Sequence, residues 1–135
     1  ALAGASSGQT INFDETAFSS KTTISITEPL TISSSHASIT IHGLLDESGY
    51  PKIAVRRSDT FEESALIYSG AVFNLQNVSN VTIQNLAIHG GQTGIFIDNN
   101  ASNVFIQGCW IGYDINGNGT SFDTISGSPL VLQQW

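Results

Sequence analysis

The chain repeats a phrase. "NVSNVTIQNLAIH" runs from Asn77 to His89, and "NASNVFIQGCWIG" runs from Asn100 to Gly112, 23 residues further on. Asn, Ser, Asn, Val, Ile and Gln recur in step, and Ile88 against Ile111 closes the match. Within each copy the apolar residues stand two apart: Val81 and Ile83, then Leu86 and Ile88; Val104 and Ile106, then Cys109 and Ile111. "GIFID" between the copies alternates again, at Ile95 and Ile97. Alternation of period two marks a strand with one buried face. Gly90-Gly91, Gly94, Asn99-Asn100 and Gly108 interrupt the pattern where turns are needed. One period therefore holds three short strands.

A phrase that returns in register after three strands describes a coil stacked on itself. Each strand pairs in parallel with its counterpart one period on, so Val81 stacks on Val104 and Ile83 on Ile106. Asn80 over Asn103 forms an amide ladder at a turn. The fold class that follows is all-β: a parallel β-helix of a few coils with three short strands per coil. A leucine-rich repeat shares the period and would take Cys109 at its polar slot. It would also need a helical or extended second half, where "HGGQTGIFIDNN" reads turn, strand, turn.

Fainter coils precede the clear ones. "SITIHG" aligns with "NVTIQN" at an offset of 42 residues, "PLTI" with "VFNL", and "QTINF" and "TTISI" supply the first coil. The surplus length falls in one excursion, about residues 45–70, with a strand at Ile53 to Val55. Asp59 or Thr60, followed three residues later by Glu62 or Glu63, resembles a helix capping box, so a short helix is expected there. The whole chain reads as a single domain, with residues 1–8 the remnant of an N-terminal cap and 120–135 a tail that caps or forms an interface.

Composition narrows the function. The net charge is −7, with Lys21, Lys52, Arg56 and Arg57 the only Lys and Arg residues. Phosphate backbones and anionic membranes are bound by cations, so nucleic acid and membrane partners are disfavoured. No apolar run is long enough to span a bilayer, and no signal peptide is evident. Cys109 is the single cysteine, sits in an apolar alternation, and is expected in the core.

"GQTINFD", "PLTI", "ASITIHG", "VFNLQNVSNVTIQNLAIHGG" and "CWIGYDINGNG" together resemble bacterial secreted right-handed parallel β-helix proteins of the pectin-lyase-like superfamily. The resemblance covers about residues 8–120. It implies a right-handed helix, a short member or a fragment of a longer one, an extracellular or cell-envelope setting, and carbohydrate as the ligand class. The leading expectation is a non-catalytic module for adhesion, carbohydrate contact or surface scaffolding. The alternative is a polysaccharide lyase or glycoside hydrolase acting on acidic polysaccharide.

Candidate residues follow from these two readings. A lyase would use Arg56 or Arg57 as base or uronate clamp, since a guanidinium grips a carboxylate bidentately; the simpler reading pairs them with Asp59, Glu62 and Glu63. A hydrolase needs converging carboxylates, and Asp98 stands alone after "GIFI", where Asn99 and Asn100 favour a turn. His89 reads as a solvated turn residue. By alternation Phe96, Phe105 and Trp110 face outward as a surface for sugar, a partner or the tail. "DINGNG" offers Asp114, Asn116 and Asn118 in the order of a calcium loop, without the closing acid, since Ile125 holds that position. No other cofactor is expected. Four N-x-S/T matches, at Asn77, Asn80, Asn100 and Asn118, are those such a composition produces. Self-association is expected through a helix end or the aromatic face.

Overall fold

Among the described residues thirteen short strands wind into a parallel β-helix. A computed structural model describes residues 2–58 and 70–119, and the backbone of two further strands at 125–127 and 131–134. The first turn of the helix comprises β1 (Thr10–Asn12), β2 (Thr22–Ile26) and β3 (Leu30–Ile32), and the second β4 (Thr40–His42), β5 (Ile53–Arg57) and β6 (Ala71–Leu75). The third comprises β7 (Ser79–Gln84), β8 (Ala87–His89) and β9 (Thr93–Ile97), and the fourth β10 (Ser102–Gln107), β11 (Trp110–Ile111) and β12 (Ile125–Gly127). β13 (Val131–Gln134) begins a fifth. Like strands stack into three parallel sheets: β1-β4-β7-β10-β13, β2-β5-β8-β11 and β3-β6-β9-β12.

The repeat sets the register. Val81 pairs with Val104 and Ile83 with Ile106, as the two phrases require. Thr40 and Ile41 pair with Thr82 and Ile83, and Leu30 to Ile32 pair with Phe73 to Leu75, so the fainter alignments hold as well. Inward residues of successive turns form columns in the core. Ile41, Ile83 and Ile106 make one, Phe73 and Ile95 another, and all five are almost fully buried. Each such side chain contributes about 1.5–3 kcal/mol of burial, so the columns dominate the stability of the stack. Cys109 lies in this core and donates to the Ile83 carbonyl at 3.6 Å. Burial pushes its thiol up to about 11, which keeps it protonated and unreactive.

Corners use residues that accept left-handed backbone angles. Ser38, Asn80 and Asn103 occupy the same corner in three turns with φ of 59°, 59° and 52°. Asn103 Nδ2 donates to Asn80 Oδ1 at 3.1 Å, the first link of the expected ladder. At the next corner stand Gly43, Asn85 and Gly108; a side chain at Gly43 would run into the Asn85 backbone.

The excursion at 45–70 is divided by a regular strand. β5 pairs with β2 on one side and β8 on the other, and it extends to Arg57, beyond the expected Val55. The surplus length therefore enters at two corners, before and after β5. The helix expected near Asp59 to Glu63 lies outside the described residues. Within the tail, β12 and β13 continue the third and first sheets in register. At the other end Leu2 and Ala5 pack against the core, with Phe13 and Phe18 in edge-to-face contact at 5.4 Å. Among the described residues no helix is long and apolar enough to cross a membrane.

Candidate functional site

The outer face of the second sheet carries the chemistry. Its register sets Thr23, Ala54, Ala87 and Trp110 in one outward row, and Ser25, Arg56 and His89 in the next. Ala54 and Ala87 point away from the core yet are fully buried. Bulk is absent from the middle of the row, and two loops, one before β5 and one after β11, flank this face.

The two loops share one construction. In the first, between β4 and β5, the Asp46 amide donates to the Tyr50 carbonyl at 2.8 Å and the Gly49 amide to the Asp46 carbonyl at 2.9 Å. Asp46 Oδ1 accepts the Ser48 and Tyr50 amides, each at 2.9 Å. In the second, after β11, the Asp114 amide donates to the Asn118 carbonyl at 2.9 Å and the Gly117 amide to the Asp114 carbonyl at 3.0 Å. Asp114 Oδ1 accepts the Asn116 and Asn118 amides, again each at 2.9 Å. Antiparallel bridges close both loops, Leu45 with Pro51 and Tyr113 with Gly119. Gly49 and Gly117 take φ of 81° and 82°, which the fourth position of the turn requires. "DESGY" and "DINGN" are thus the same loop, and their common D-x-x-G spacing is the sequence signal that relates them.

The loops bring aromatic rings together. Tyr50 closes the first loop and meets Trp110 with ring centroids 5.4 Å apart and planes at 48°. Tyr50, Trp110, Tyr113 and Gly117 line a cleft of about 330 Å³. Tyr50 and Tyr113 are about half exposed, at 51% and 49%, so their faces are open to a ligand. Beside this cleft runs a polar groove of about 500 Å³, lined among others by Thr23, Ser25, Arg56, His89, Asp114 and Asn116.

The Arg56 side chain is exposed on this groove and forms no ion pair with a described residue. Arg57 is different. Alternation along Ile53, Val55 and Arg57 turns it inward, where it is 4% exposed and its Nη1 donates to the Ala71 carbonyl at 2.6 Å. It belongs to the corner leading into β6 and cannot clamp a surface ligand. Asp59, Glu62 and Glu63, the suggested partners of both arginines, lie outside the described residues.

Asp98 also holds a corner. Its carboxylate accepts the Asn77 amide at 3.1 Å and the Asn100 amide at 3.0 Å, tying one turn of the helix to the next. His89 is not a solvated turn residue: it ends β8 and is 6% exposed beneath the groove. The three outward aromatics separate. Phe105 lies on the first sheet, Trp110 on the second and Phe96 on the third, so they form no common face. Trp110 instead joins Tyr50 and Tyr113, which alternation could not select because both stand in loops.

Comparison with protein-family models, curated proteins and solved structures finds no match for this chain.

The calcium-like loop holds itself closed. Asp114 Oδ1 is taken up by two amides, and Oδ2 accepts the Asn118 side-chain amide at 3.1 Å. The Asn118 amide bonds, that of Asn116 and the nearby His89 hold the Asp114 carboxyl below its ordinary value. Asp114, Asn116 and Asn118 thus present backbone and side-chain donors to one carboxylate, where a calcium loop turns a ring of oxygens onto a cation. Among the described residues no group of three or more His, Cys, Asp or Glu side chains is placed to hold a metal ion. The arrangement offers aromatic faces, hydroxyls, an amide and a guanidinium that is unpaired among the described residues, along one open surface.

Proposed function

We propose that this chain is a non-catalytic β-helix module that contacts carbohydrate through the outer face of its second sheet, in an extracellular or cell-envelope setting. The observation that carries the reading is the cleft of Tyr50, Trp110 and Tyr113 beside a groove bearing Arg56. A sugar ring has an apolar C–H face and a polar rim. Open aromatic walls suit the first, and the Thr23, Ser25 and Asn116 side chains suit the second. Arg56 adds selectivity for a carboxylate-bearing sugar, since its guanidinium forms no ion pair with a described residue. Among the described residues Asp114 is the one carboxylate lining the groove, which fits a binding role. A glycosidase places two carboxyls about 5–9.5 Å apart across the scissile bond. Here Asp114 is tied up in its own loop and Asp98 stands at another corner.

Binding of the purified chain to an array of neutral and uronate-containing glycans tests this. Trp110→Ala is expected to weaken binding to every bound glycan by about tenfold or more. Arg56→Ala should weaken only the uronate-containing ones. Unchanged binding in a Tyr50→Ala, Trp110→Ala double variant removes the reading. An enzyme acting on acidic polysaccharide is the second reading, favoured by Arg56 lying beside His89 and Asp114 in one groove. Release of unsaturated uronate that is lost in Arg56→Ala would decide for it.

A further inference from the structure

We infer that Lys21 is a positioning residue for the aromatic cleft: it pins the two aspartate loops to each other and so fixes Tyr50 against Trp110. Its effect on ligand binding rests on the carbohydrate reading, whereas the pinning itself stands on the loop geometry. Lys21 belongs to neither loop and sits just before β2, in the first turn of the helix. Its Nζ lies 3.4 Å from Asp46 Oδ2 in the first loop. The same Nζ donates to the Ile115 carbonyl of the second loop at 3.5 Å. Ile115 follows β11, which lies in the fourth turn of the helix. The second loop must therefore reach back across the face of the sheet to be met by Lys21.

Each contact is transmitted to an aromatic ring. Asp46 spends Oδ1 on the Ser48 and Tyr50 amides and offers Oδ2 to Lys21. The Asp46 amide also donates to the Tyr50 carbonyl, so Asp46 and Tyr50 move as one body. On the other side Ile115 lies within the Asp114 loop, whose Gly117 sits under the Trp110 ring and whose flank carries Tyr113. One ammonium group thus connects the two walls of the cleft. Both of its contacts are long and reach solvent, which makes the pin weak and salt-sensitive. A weak pin leaves the cleft with a closed and an open arrangement whose balance Lys21 sets.

The test uses a Trp135→Phe background, in which Trp110 is the only tryptophan. Acrylamide quenching of Trp110 and the nuclear Overhauser contact between the Tyr50 and Trp110 rings report the closed arrangement without any ligand. Lys21→Ala is expected to raise the quenching constant about twofold to fivefold and to weaken the ring contact, with far-UV circular dichroism unchanged. Lys21→Arg should restore both. Asp46→Asn keeps the loop acceptor but removes the charge, and should mimic Lys21→Ala. Added salt should move the wild type toward the Lys21→Ala value and leave that variant where it is. Equal quenching in the wild type and Lys21→Ala at low salt overturns the inference. So does a rise in quenching with salt that is the same in both proteins.

A second arm separates the two proposals. Titration with a galacturonate oligosaccharide should show a weaker affinity in Lys21→Ala that Lys21→Arg recovers. Binding by the wild type that Lys21→Ala leaves unchanged counts against a positioning role. If the wild type binds none of the glycans on the array, the carbohydrate reading falls, and the quenching measurements still decide whether Lys21 pins the loops.

Discussion

Ser38, Asn80 and Asn103 hold equivalent corner positions with left-handed backbone, and the two asparagines are joined by a hydrogen bond between their side-chain amides. A non-glycine residue pays for this conformation, and asparagine pays least. Asn103→Ala is expected to cost about 1–2 kcal/mol, the sum of that conformational cost and one exposed hydrogen bond. Ser38→Asn should stabilise the chain by extending the ladder to the second turn. Chemical denaturation of both variants checks the opposite signs. The two loop carboxylates give a pH signature. Asp46 is held below its ordinary 3.8 chiefly by the Tyr50 amide, and Asp114 chiefly by the Asn118 amide. Because both values are depressed in the folded chain, their contribution is complete above about pH 4 and is lost as pH falls through the folded values. In the Trp135→Phe background, acidification from about pH 5 to pH 2 should therefore change Trp110 emission before it changes the far-UV signal of the sheets. At this scale alternation made the side-chain direction legible for Val81, Ile83, Val104, Ile106 and Trp110. The same rule would have turned Arg57 inward, had the strand been read two residues past Val55.

Short strands and tight corners leave little room at the points where the chain changes sheets. Gly43 is such a point: a methyl group there would meet the Asn85 carbonyl and the Leu86 side chain. The backbone of the next turn cannot yield without breaking the hydrogen bond, 2.8 Å long, that the Gly43 amide donates to the Gln84 carbonyl. Gly43→Ala should destabilise the chain by about 1–3 kcal/mol, measured as a lower denaturation midpoint with unchanged slope. Gly4→Ala, in open space in the short 3-10 helix Leu2–Gly4 that precedes β1, is the matched control and should be near neutral. The strands themselves were legible because a buried face of period two leaves a mark on every second residue. The place of β5 was not. Long stretches of sequence on either side separate it from its neighbours, so its local pattern announced a strand without saying which sheet would take it. The paired loops were hidden for another reason: they share a hydrogen-bond plan and only two of their five residue types, aspartate and glycine.

Among the described residues the outermost strands of the stack are β1, β2 and β3 at one end and β11, β12 and β13 at the other. Unpaired strand edges favour pairing with another chain. Self-association end to end is the expected outcome, read as a concentration-dependent mass by light scattering after size exclusion. A monomer at every concentration would rule it out. The net charge of −7 opposes close approach, so added salt should promote the assembly. At this scale the sequence spoke clearly about architecture and faintly about the site. Repetition is a long-range signal that survives in one dimension. The cleft draws on residues 21–25, 46–56 and 110–117, which meet only because of where the turns of the helix place them.

One turn takes 30 residues from Thr10 to Thr40, 42 from Thr40 to Thr82, 23 from Ser79 to Ser102 and 27 from Val104 to Val131, yet every strand stays in step. The fold therefore counts in layers and ignores contour length. Where the corners already differ in length, as before and after β5, an insertion is expected to leave the pairing of the sheets in register. New surfaces can be tried at the corners one at a time while the core that supports them stays fixed.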